Sequence, residues 1–122
     1  MKWILLVGDE MLTLDSIKSI EHYGSSSNND VDDEQYCVMY SNTDYIIYDG
    51  GDIDSTDDYD EDALKKIPFK KPHIITMKYR SGERVRKILM QDNFLRAIYV
   101  DNDLGLVETI EKFIELGMPM EE

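Results

Sequence analysis

Three short, almost unbroken apolar runs, Lys2 to Val7, His73 to Tyr79 and Arg96 to Val100, do most to constrain what this chain can fold into. A strand that is apolar on both sides of its pleat must be covered on both faces, which suits the middle of a sheet flanked by helices. Asp9 is placed to cap a helix after the first run, with Met11, Leu14, Ile17 and Ile20 at every third position before a stop at Gly24. Ser81 can cap a second helix carrying Val85, Ile88 and Leu89. Asp103 can cap a third, carrying Leu106, Ile110, Phe113 and Ile114 before Gly117 and Pro119. Between the first helix and His73, the stretches Tyr36 to Tyr40 and Tyr45 to Tyr48 are strand-like, and Ser41-Asn42-Thr43-Asp44 between them has the composition of a hairpin turn. Alternation of strands and helices in the second half predicts parallel pairing through right-handed crossovers. The expectation is an α/β domain, a small three-layer open mixed sheet of about five strands with three helices, mostly parallel with one β-hairpin. The three apolar runs should be its parallel, central strands.

At 122 residues the chain has the length of one domain. Two stretches are expected as loops: 24–33, rich in Ser and Asn and mobile, and the acidic segment 49–62, where only Ile53 and Tyr59 could be buried. Charge is distributed unevenly. From Asp30 to Asp62 there are thirteen acids and no Lys or Arg; from Lys65 to Lys87 there are nine bases and one acid, Glu83. The formal net charge of −13 tells against nucleic acid or an anionic membrane as partner, and its field would steer a cationic protein toward the surface. The apolar run at Met1 to Val7 stops at Gly8-Asp9-Glu10, too short for a signal peptide or a membrane span. The one cysteine, Cys37, has no intrachain partner. Both features lead to the expectation of a cytoplasmic protein.

Few residues offer catalytic chemistry. His22 is expected near the end of the first helix, where the dipole favours a cation, and His73 begins a strand. The histidines do not stand at the helical spacing of a zinc pair, Cys37 reads as a small buried hydrophobe, and Ser25 to Ser27 lie in no nucleophile elbow. No catalytic residue, metal or cofactor is expected. The acidic segment resembles a calcium-binding EF-hand loop in having oxygens at Asp52, Asp54, Thr56, Asp58 and Asp60. It departs from that loop with Asp57 at the glycine position and Ala63 at the closing glutamate.

Two further resemblances bear on function. Ile4-Leu5-Leu6-Val7-Gly8-Asp9-Glu10 resembles the opening acidic motif of the receiver domains of two-component signalling. Asp44-Tyr45-Ile46-Ile47-Tyr48-Asp49 resembles the strand that ends in their phosphorylated aspartate, and Thr76 lies near the end of the next strand. That resemblance implies a signalling domain with a magnesium pocket of Asp9, Glu10 and Asp49. It departs at Gly8, where the family has an acid, and at Asp101, followed by Asp103, where the family has a lysine. In size, acidity and lack of a catalytic motif, the chain is similar to the small cytoplasmic immunity proteins with which bacteria neutralise toxin domains, often nucleases with basic clefts. This second resemblance implies a non-enzymatic inhibitor that masks a basic partner with carboxylates placed where phosphate would bind. The contact set would be Asp49, Asp52, Asp54, Asp57, Asp58, Asp60, Glu61 and Asp62, with Tyr45, Tyr48 and Tyr59 as aromatic anchors.

Overall fold

The computed structural model describes residues 1–51, 53, 59 and 61–122. Its strands are β1 (Lys2–Gly8), β2 (Ser27–Asp32), β3 (Gln35–Met39), β4 (Tyr45–Asp49), β5 (His73–Tyr79), β6 (Tyr99–Asp101) and β7 (Val107–Thr109). The helices are α1 (Leu14–Lys18), α2 (Glu61–Lys65), α3 (Gly82–Leu89) and α4 (Ile110–Glu115). The strands form a seven-stranded sheet in the order β2-β3-β4-β5-β1-β6-β7, and every neighbouring pair is antiparallel.

This overturns the mostly parallel, three-layer sheet expected from the order of elements. β1 pairs antiparallel with β5 from Lys2↔Tyr79 to Gly8↔His73, and antiparallel with β6 from Leu5↔Asp101 to Val7↔Tyr99. β5 and β6 therefore run in the same sense, as a crossover through α3 requires, but β1 is inserted between them in the opposite sense. The three apolar runs are adjacent, as β5-β1-β6, yet not parallel. Their apolar character reports that both faces are covered and carries no information on direction. Ile4 and Leu6 of β1 lie in the main core with Ile17 of α1, Val85 and Leu89 of α3, and Phe113 of α4. Val7 points the other way, into a smaller cluster with Ile67, Ile74 and Val107.

Other differences are local. β2 occupies most of the stretch read as a loop: all six of its residues are exposed, and it is ordered by backbone pairing to β3, from Ser27↔Met39 to Asp32↔Gln35. Thr13, not Asp9, caps α1, its Oγ1 accepting the Ser16 N–H at 3.2 Å while Ser16 Oγ accepts the Thr13 N–H at 3.0 Å. Asp9 forms a turn instead, accepting the Met11 N–H at 2.8 Å. Ser81 caps α3 as expected, but α4 is capped by Thr109 rather than Asp103, because β7 intervenes.

α1, α3 and α4 all contribute to the main core on one face of the sheet. On the other face, Ile67 packs with Val7, Ile74 and Val107, joined by Tyr59 and Phe69. Beyond that cluster the face is more open: Trp3 keeps 45 % exposure, and Ile47 and Lys78 are half-buried. Among the described residues no helix is long and apolar enough to cross a membrane.

Candidate functional site

Two acidic stretches distant in sequence meet at one end of the sheet. The β3–β4 register places Gln35 opposite Asp49, and the Glu34 carbonyl accepts the Gly50 N–H at 2.8 Å. Side-chain carboxylates crowd there as well. A Cβ placed on Gly51 would come within 2.9 Å of Glu34 Oε2 and 3.1 Å of Asp49 Oδ1. The turn at Asp32-Asp33-Glu34 is tightened by Asp32 Oδ1, which accepts the Glu34 N–H at 2.8 Å. Asp30, on β2, is bound by Lys18 at 2.6 Å across exposed surface.

Asp49 is the best-held member of this corner. It accepts the Gly51 N–H at 2.9 Å, the Lys78 ammonium at 3.0 Å and the Gln35 side-chain amide at 3.1 Å. Burial opposes its ionisation, but the Gly51 amide, Lys78 and Gln35 together outweigh burial and hold the carboxyl below its ordinary range.

Beside the corner, a cleft of about 800 Å³ opens on the face away from α1, α3 and α4. Trp3 and Leu5 of β1 and Thr76 of β5 line it from the sheet, Asp101 and Val107 from β6 and β7, and Asp62 from α2. Lys78, the cation bound to Asp49, also lines the cleft, as does Asp103.

The residues singled out in the sequence are thus distributed over several environments. Asp49 holds the acidic corner, Asp62 and Tyr59 line the cleft, and Glu61 is exposed at the start of α2. Asp52, Asp54, Asp57, Asp58 and Asp60 lie outside the described residues. Tyr45 is half-buried, with the Arg80 guanidinium 5.9 Å from its ring centre. Tyr48 cannot anchor a partner, because it is fully buried on the core face, where its hydroxyl meets His22 Nε2 at 2.7 Å. His22 is itself buried and does not sit as a cation at a helix end.

The magnesium pocket of Asp9, Glu10 and Asp49 does not assemble. Asp49 is level with Thr76 on β5 and with Leu5 on β1. Asp9 is therefore about 16 Å from it, from two strand spacings of about 4.8 Å and four residues of about 3.3 Å. Among the described residues no group of three or more His, Cys, Asp or Glu could hold a metal ion. Burial pushes the Cys37 thiol up, the opposite of what a nucleophile needs. Trp3 and the position of Asp101 opposite Leu5 were not evident from the sequence, where Trp3 was one member of an apolar run. The available signal was parity: Trp3 shares a face with Leu5 and Val7 rather than with Ile4 and Leu6.

With this geometry in view, comparison of the chain with protein-family models, curated proteins and solved structures finds no match.

Proposed function

We propose that this chain is a non-enzymatic binding protein that docks on and masks a basic protein partner, in the manner of a cytoplasmic immunity protein acting on a nuclease-type toxin domain. The observation that carries this reading is the meeting of Asp32, Asp33 and Glu34 with Asp49 at one corner, with Asp30 one register step away on the α1 face. The only cations bound to these acids among the described residues are Lys18 and Lys78. Those two cations are already engaged, so the corner keeps a net negative field. Such a field acts mainly on the rate of encounter with a positive surface.

The test uses a basic nuclease-type domain encoded beside the gene for this chain. Stoichiometric loss of its nuclease activity on adding the chain is expected. Replacing Asp32 and Asp33 by Asn and Glu34 by Gln together should slow association roughly tenfold at low salt, with the difference shrinking as salt rises. Asn at position 32 keeps the oxygen that the turn needs. Undiminished nuclease activity in excess folded chain would overturn the reading.

A further inference from the structure

Across the open face the strands carry, in spatial order, Asp49 on β4, Lys78 on β5, Trp3 on β1 and Asp101 at the end of β6. Trp3 stands directly opposite Lys78, and Asp101 opposite Leu5. The Lys78 ammonium is drawn toward β4 by Asp49 at 3.0 Å, so it lies on the β4 side of the indole, whereas Asp101 lies on the β6 side. Trp3 and Asp103 both line the large cleft and also a smaller one of about 180 Å³ beside it. The indole thus forms a ridge with a carboxylate beside it. Asp101 is only 9 % exposed; one of its oxygens accepts the Asp103 N–H at 2.8 Å. Among the described residues no Lys or Arg pairs with Asp101 or Asp103. Lys66 lines the same cleft, yet among the described residues it forms an ion pair with neither carboxylate, so both retain acceptor capacity for an incoming cation.

We propose that Trp3, Asp101 and Asp103 form a socket for an arginine side chain presented by the basic partner. The guanidinium would stack on the indole and donate its N–H groups to the two carboxylates. Arginine suits this site better than lysine, because its plane can lie on the ring and its fork of donors can reach two acceptors. Leu5 and Val107 supply the apolar surround that shields such an anchor from water. A second copy of this chain is disfavoured as occupant, since each copy carries −13. The socket rests on the reading of the chain as a binder of a basic protein and gives that binder an anchor distinct from its steering corner.

Trp3 is the sole tryptophan, so its fluorescence reports the site directly. The probe is the peptide acetyl-Gly-Arg-Gly-Arg-Gly-amide, titrated into the full chain beside its lysine counterpart. A saturable change in Trp3 emission is expected with the arginine peptide, with about threefold weaker binding of the lysine peptide. D101N/D103N should weaken the arginine peptide about tenfold. E111Q/E115Q, which removes the same charge from α4, should bind as wild type. If the double variant of the socket melts early, D103N alone carries the same expectation, because that side chain is exposed and its turn conformation, with φ of +60°, tolerates Asn. Equal weakening by the two double variants, equal affinity for the two peptides, or an unresponsive Trp3 would each overturn the socket. Nuclease inhibition is read in a separate assay, so a failed socket with intact inhibition would leave the acidic corner standing.

Discussion

Replacing His22 by Gln should change the pH dependence of stability without changing the fold. His22 is 3 % exposed and engaged at both ring nitrogens. Nδ1 lies 3.1 Å from the Ile20 carbonyl, which can only accept, so Nδ1 carries the proton; Nε2 then accepts the Tyr48 O–H at 2.7 Å. A second proton would have to enter at Nε2, against that hydroxyl and without solvent. Burial lowers the imidazole pKa from 6.5, and the Ile20 carbonyl opposes this only in part. The unfolded chain thus takes up a proton near pH 6.5 that the folded chain refuses, and stability falls as pH falls below that value. The limiting slope is about 1.4 kcal/mol per pH unit, and it flattens once the folded imidazole also protonates. Gln can donate to Ile20 and accept from Tyr48 but does not titrate. Denaturant unfolding of both chains at pH 7.5, 6.5 and 5.5 provides the assay, and subtraction cancels the titration of the 26 acids they share. Between pH 6.5 and 5.5 the balance should move toward the variant by up to about 1 kcal/mol. A gap that stays constant with pH would refute the reasoning, since it would mean that His22 titrates in the fold as it does in the open chain.

Gln91→Ala should lower stability by about 1–3 kcal/mol, read as a lower denaturant midpoint with unchanged slope. Gln91 is buried and ties the 21–23 segment to α3, accepting the Tyr23 N–H at 3.0 Å and donating to the Glu21 carbonyl at 3.0 Å. Asp49→Asn should cost about 1–2 kcal/mol at pH 7. Because the folded carboxyl is held below its unfolded value of about 3.9, that cost should vanish as pH falls through the folded value. A cost that persists in strong acid would show a packing effect instead. The same variant frees Lys78 beside Trp3 and should weaken the arginine peptide in the fluorescence titration.

The elements that could be recognised from sequence are those whose signal is local. The turn at Ser41 to Asp44 closes by its own hydrogen bonds, Tyr40 N–H to the Asp44 carbonyl at 2.9 Å among them, and β3 and β4 fall where their aromatic and branched residues predict. Ser81 caps α3 by a contact within its own turn. β2 has no such signal, since Ser27-Asn28-Asn29-Asp30-Val31-Asp32 holds a single apolar residue and gains its order from backbone pairing to β3. The direction of β1 is likewise nonlocal. It depends on β1 reaching the gap between β5 and β6, and no residue of Lys2 to Gly8 encodes that choice.

Faces were more accessible than directions, through an argument from parity that applies to both parts of the site. On β4, Ile46 and Tyr48 alternate with Tyr45 and Ile47, so hydrophobicity alone cannot say which pair is inside. Asp49 breaks the tie: it shares a face with Tyr45 and Ile47, and a carboxylate marks the face that retains solvent and ion-pair partners. Tyr48 is then a core residue and Tyr45 an open-face residue, as their burial bears out. Carried across the register Asp49↔Thr76↔Leu5, the same reasoning places Trp3, two residues from Leu5, on the face that Asp49 marks. What remains beyond reach of the sequence is that register itself. It brings Asp101 opposite Leu5 and leaves a nearly buried carboxylate beside an exposed indole, with Lys78, on the far side of β1, already bound to Asp49.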